Sequence, residues 1–154
     1  MRLATLFLAA ACCAAAADTA DEKQVAAVVQ KLFDAMTAKD ADAVRRTMNA
    51  DAQILLVQNG RLLPVMTRED FAQRVAQAKS RIVERTWEPK IEVRGRIAMF
   101  WAEYDLHADG KFNHCGIDAF LLLKTDDGWK IANGESTAET EGCKASPLGP
   151  LREK

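Results

Sequence analysis

Three short turns, Arg94-Gly95, Asp109-Gly110 and Asp126-Asp127-Gly128, cut the stretch from Trp87 to Glu135 into four runs rich in β-branched, aromatic and aliphatic residues. Glycine adopts the positive φ of a tight turn without steric cost, and aspartate hydrogen-bonds to the backbone just beyond it, so such turns join neighbouring antiparallel strands. The runs Trp87–Arg94, Ile97–His107, Phe112–Lys124 and Trp129–Glu135 therefore predict a meander, one face of which must be buried against other elements. In the first run Trp87, Pro89, Ile91 and Val93 alternate with Glu88, Lys90, Glu92 and Arg94, giving an apolar and a charged face. Pro89 cannot donate to a ladder, which places it at an edge or a bulge.

The cover for that sheet lies earlier in the chain. From Asp21 to Lys39, Val25, Val28, Val29, Leu32, Phe33 and Met36 recur at three- and four-residue spacing, the apolar stripe of an amphipathic helix. Asp40 is placed to cap a second, shorter helix with Val44 and Met48 on its buried side. Ile54–Val57, the Asn59-Gly60 turn and Leu62-Leu63 predict a small hairpin that Pro64 ends. Thr67, with Asp70 three residues on, caps a third helix whose inner face carries Phe71, Val75, Ala78 and Ile82. The predicted class is α+β: three helices backing an antiparallel sheet.

Residues 1–17 have the form of a secretory leader: Arg2, an apolar run from Leu3, and Ala15-Ala16-Ala17 ahead of Asp18. That run is shorter than the roughly 20 residues a membrane-spanning helix needs. The expectation is export, to the periplasm or outside the cell, with lipid anchoring at Cys12 as the lesser alternative. Residues 18–141 form one domain and residues 142–154, rich in proline, glycine and charge, a loose tail. The net charge of −1 gives no basic field for nucleic acid. Cleavage after Ala17 leaves Cys115 and Cys143, which either form a disulfide or are a buried apolar thiol and an unrelated tail thiol.

The order helix, short helix, small hairpin, helix, long meander, together with Trp101-Ala102-Glu103-Tyr104, Asp109-Gly110-Lys111, His114-Cys115-Gly116-Ile117-Asp118-Ala119-Phe120 and Asp127-Gly128-Trp129-Lys130-Ile131, resembles nuclear transport factor 2-like (SnoaL-like) domains from about Glu22 to Thr140. The resemblance implies a cone whose curved sheet and first helices enclose a ligand-sized cavity, often with homodimerisation through the sheet. It does not imply one activity, since members include isomerases, dehydratases, cyclases, hydrolases and proteins that only bind.

If Asp109-Gly110 is a two-residue hairpin turn, His107 faces Phe112, Asp105 faces His114, Tyr104 faces Cys115 and Trp101 faces Asp118. One sheet face then carries Trp101, Glu103, Asp105, His107, His114 and Asp118. The other, apolar and the better core, carries Phe100, Ala102, Tyr104, Leu106, Cys115, Ile117, Ala119 and Leu121. A β-bulge in either strand would exchange the faces. His114 and Asp118 are the candidate general acid and base, spaced so that the carboxylate biases the imidazole, as in the His–carboxylate pair of scytalone dehydratase-like chemistry; the alternative is a solvated or subunit-facing ladder. Tyr104 is the candidate pocket hydroxyl, with a core tyrosine bonded to backbone as its alternative. Trp101, Trp87, Phe33 and Met36 complete the candidate ligand-binding set. No metal site or cofactor is expected, because His107 and His114 flank a turn without a well-spaced third ligand. Steroid isomerisation is disfavoured, since Ile54–Val57 lacks an acid where that base belongs. The leading expectation is an exported domain binding a small apolar or aromatic molecule; the rivals are a lyase- or isomerase-like enzyme using His114, Asp118 and Tyr104, and a dimeric interaction module without catalysis.

Overall fold

The computed structural model describes residues 12–152, with side chains from Ala20 onward. The leader expected over residues 1–17, and Cys12 with it, lies outside that fully described span. The helices are α1 (Cys12–Ala38), α2 (Ala41–Thr47) and α3 (Arg68–Ala76). Strands β1 (Met48–Gln58), β2 (Arg61–Leu62), β3 (Met66–Thr67), β4 (Ile82–Arg94), β5 (Ile97–Ala108), β6 (Lys111–Thr125) and β7 (Gly128–Ala138) build one sheet in the order β2-β1-β7-β6-β5-β4, with β3 paired to β1. Strands β4 to β7 are the predicted meander. The sheet is nevertheless mixed, because β1 runs parallel to β7. No tight turn links these two strands, so no hairpin dictates their direction.

Helix α1 buries Val25, Val29, Leu32 and Phe33 against the inner sheet face, where Phe33 meets Phe120 with ring centroids 6.3 Å apart. Its early part is fixed by Asp21, whose Oδ1 accepts from Lys124 Nζ at 2.6 Å and Trp129 Nε1 at 3.2 Å. Asp40 caps α2 by accepting from the Ala43 N–H at 2.8 Å. A full capping box starts α3, with Thr67 and Asp70 each accepting from the other's backbone N–H. Two boundaries differ from the expectation. Met48, placed on the second helix from its spacing, opens β1 instead while staying buried. Ala78 and Ile82 lie beyond α3: Asp109 Oδ1 accepts from the Arg81 N–H at 2.7 Å, tying the start of β4 to the β5–β6 turn.

Bulges decide which side chains face inward. In β4 the pairing shifts between Trp87 and Lys90, with Glu88 at φ 45°, so Trp87 lies opposite Glu103 on the outer face while Ile91 and Val93 pair with Phe100 and Ala98 on the inner one. Between β5 and β6 the expected pair His107–Phe112 forms, but Asn113 is then skipped and Leu106 pairs with His114. Every later pair is displaced by one: Asp105 with Cys115, Tyr104 with Gly116, Trp101 with Ala119. The faces of β6 are thereby exchanged. His114 and Asp118 join Tyr104 and Leu106 beneath the helices, while Cys115, Ile117, Ala119 and Leu121, expected in the core, face outward. Gly116 is required where β6 meets β7, since a Cβ there would lie 1.9 Å from the Thr137 carbonyl oxygen.

The outer face is partly covered by residues after β7. A disulfide joins Cys115 to Cys143. The Arg85 guanidinium donates to Asp105 Oδ1 at 2.8 Å and to the Gly149 carbonyl at 3.0 Å, which explains why Asp105 and His107 are buried on that side.

Candidate functional site

The inner sheet face, α1 and α3 line an open-mouthed cavity of about 880 Å³. Much of its wall is apolar, with Leu32, Phe33 and Met36 from α1, Phe71 and Val75 from α3, and Phe120 from β6. At one end the lining turns polar, where Glu84, Tyr104, His114, Asp118 and Ser136 converge from four adjacent strands.

Asp118 is the most enclosed of these, at 1% exposure. It lies opposite Ser136 in the β6–β7 ladder and accepts from Ser136 Oγ at 2.7 Å through Oδ1. Its Oδ2 is buried and receives no N–H or serine, threonine or tyrosine O–H. The ionisable group coupled to Asp118 is the Glu84 carboxyl of β4, and a carboxyl bonds to a carboxylate only by carrying a proton. Burial pushes Glu84 well above the usual carboxylate range, and the charge of Asp118 adds to the rise. Burial likewise raises Asp118, to about 6, against the opposing hydrogen bonds from Glu84 and Ser136. Two coupled carboxyl groups, Asp118 fully buried and Glu84 partly so, share one proton, with Glu84 as its holder.

Tyr104, 2% exposed, donates its hydroxyl proton to the Thr137 carbonyl at 2.6 Å, so it presents to the cavity an oxygen lone pair and a ring. Burial, then the nearby Glu84 and Asp118, push its ionisation far upward. The ring of His114 meets that of Tyr104 edge-on, centroids 5.6 Å apart. Burial lowers the His114 pKa, leaving the ring neutral near pH 7. Its Nδ1 faces Asn113 Oδ1 at 2.8 Å, an acceptor, which puts the ring proton on Nδ1 and leaves Nε2 unprotonated.

Of the residues singled out in the sequence, His114, Asp118, Tyr104, Phe33 and Met36 therefore come together around one cavity. Trp101 and Trp87 do not: both sit on the outer face, Trp101 at 44% exposure, because each bulge separates their face from the cavity side. Glu84 and Ser136 were not singled out. Glu84 was hidden because Ile82 was assigned to the preceding helix; the β-branched Ile82-Val83 and Thr86 around it were the available sign of a longer strand. Among the described residues, no three His, Cys, Asp or Glu side chains are grouped to hold a metal ion. A carboxyl–carboxylate pair can give and take a proton at constant net charge, and a neutral imidazole beside it can accept one.

A family model described as "Putative lumazine-binding" matches residues 20–135. No curated protein matches the chain. Among solved structures, a cystatin-like-fold, nuclear transport factor 2-like protein from Novosphingobium aromaticivorans superposes with a TM-score of 0.69 at 13% identity, covering 84% of this chain and 88% of that one. The Kfla4162 protein from Kribbella flavida gives 0.67 at 19% identity, over 78% and 91%. A "putative dehydratase" of the nuclear transport factor 2-like family from Streptomyces avermitilis gives 0.65 at 19% identity, over 78% and 96%. These likenesses establish the α+β, cystatin-like fold.

Proposed function

The chain belongs to the family described as "Putative lumazine-binding", and we propose that it is an exported domain that binds a small, largely apolar or aromatic molecule in its cone. The observation that carries the reading is the cavity of about 880 Å³, apolar along much of its wall and polar at one end, a size and make-up suited to a ring-bearing ligand. The family's description, which names a small molecule, supports the same reading. Phe33, Met36 and Phe120 hold the ligand's apolar part, and Glu84, Tyr104 and His114 orient it. Native mass spectrometry of the protein after incubation with lumazine, and of the protein as isolated from its host, tests the proposal. One bound small molecule per chain is expected; a chain that stays empty in both preparations overturns it. Export is tested on the same sample, whose mature N-terminus is expected at Asp18.

A second reading, lyase- or isomerase-like acid–base turnover by His114 and Asp118 with Tyr104, is favoured by one observation: the Asn113 bulge brings all three to the cavity. Its test is His114→Ala on a panel of hydroxyl and carbonyl substrates, and unchanged turnover removes it.

A further inference from the structure

The hydroxyl and imidazole protons at the polar end of the cavity are already engaged by neighbouring acceptors. Tyr104 Oη donates to the Thr137 carbonyl at 2.6 Å, Ser136 Oγ to Asp118 Oδ1 at 2.7 Å, and the His114 Nδ1 proton faces Asn113 Oδ1 at 2.8 Å. The Glu84 carboxyl, coupled to Asp118, holds the proton that the pair shares. What these four residues leave toward the cavity is acceptors: the free lone pairs of Glu84, the lone pair of His114 Nε2, and those on the Tyr104 and Ser136 oxygens. The carboxyl pair also carries one net negative charge.

We propose that this end of the cavity selects a ligand whose ring edge presents N–H donors and a positive charge, such as an amino-substituted nitrogen heterocycle of the amidinium type, with its N–H groups on Glu84 and His114 and its ring against the apolar wall. The inference rests on the small-molecule-binding reading and names the ligand class of that same cavity. A ligand edge bearing only acceptors would set lone pair against lone pair in a buried site, leaving both sides unsatisfied. A donor-bearing cation satisfies them and supplies the countercharge that the shared proton supplies in the empty protein. Binding such a cation therefore releases that proton to the buffer, and affinity rises with pH.

The other ionisable groups lining the cavity come from β5, β6 and α3 with the turn after it. From β5, Tyr104 stays protonated, and from β6, burial lowers the His114 pKa, so its ring is neutral at pH 7 and 8. Helix α3 and the turn after it bring Asp70, Arg74 and Lys79 to the lining, while α1 adds only apolar side chains.

The experiment compares naphthalene-2-carboxamidine with naphthalene-2-carboxylate, alike in shape but with donors exchanged for acceptors, by isothermal titration at pH 6, 7 and 8 in two buffers of different ionisation heat. The amidine is expected to bind at least about tenfold more tightly than the carboxylate at pH 7, gaining affinity toward pH 8 with net proton release. Glu84→Gln is expected to erase the release and most of the preference. Neutral N-phenyl-1-naphthylamine, followed by its fluorescence, reports on the cavity itself. If it binds while the two naphthalenes bind equally, or while amidine affinity is flat with pH, the inference is overturned and the binding reading stands. If none of the three binds, both fall.

Discussion

Glu84 and Asp118 set the behaviour of the molecule with pH. A carboxyl group whose folded pKa lies above its unfolded value contributes stability that is intact below the unfolded pKa and is lost as pH rises through the folded one. Burial raises both groups, Asp118 to about 6, so the native state should weaken from roughly pH 4.5 upward through neutrality. Glu84→Gln removes one of the two titrations and leaves an amide N–H for Asp118. It is expected to raise stability at pH 8 by about 1 kcal/mol or more relative to the unsubstituted chain, and by much less at pH 4. Urea denaturation at the two pH values measures this, and an equal change at both contradicts the shared proton. Gly116→Ala tests packing, because its Cβ would meet the Thr137 carbonyl 1.9 Å away. A loss of about 3 kcal/mol is expected in the same urea experiment. At this scale the sequence showed part of the site. Tyr104, His114 and Asp118 stand out by residue type beside a turn, whereas Glu84 sits in a stretch whose strand character yields to a helical reading, and Ser136 matters only through its partner across the ladder.

Local signals in the sequence located helices and turns well and strand faces poorly. The stripe on α1, the Asp40 cap and the Thr67–Asp70 box all have their physical cause within a few residues, and all are legible. The bulges at Glu88 and Asn113 do not, because they arise when two strands must satisfy the ladder and the core together. One skipped residue exchanges every later side chain between faces, and this single shift moves His114 and Asp118 into the cavity and Cys115 out to the tail. Helix α3 forms part of the cavity wall, so its cap bears on binding as well as stability. Thr67→Ala should cost about 1 kcal/mol in thermal denaturation and speed ligand dissociation. Unaltered dissociation would mean that α3 does not gate the cavity.

At the scale of the molecule, the segment after β7 and the outer sheet face act together. The Cys115–Cys143 bond closes a sequence separation of 28, for which loop entropy gives about 3 to 4 kcal/mol. Cys143→Ser is expected to lose about that much and to expose Asp105 and His107; mass spectrometry of alkylated, unreduced protein checks the bond, and two alkylated thiols would refute it. Beside that segment Ile97, Trp101, Leu121 and Leu123 remain exposed on adjacent strands, the strip on which a homodimer of the kind the resemblance implies would form. Light scattering should then show Trp101→Glu shifting the mass toward a monomer. Nothing in the residue pattern tells a hollow interior from a filled one, since Phe33 and Met36 suit either; only the resemblance implies a cone, and the cavity depends on how α1 and α3 sit over a bent sheet. If this hollow takes a guest with its polar edge at Glu84 and His114, a crystal soaked with 6-bromonaphthalene-2-carboxamidine shows where that guest lies. One anomalous bromine peak is expected inside the cone among Phe33, Phe71 and Phe120, with the amidine at the carboxyl pair. A peak only on the outer face beside Trp101, or an interior closed to the probe, would contradict it.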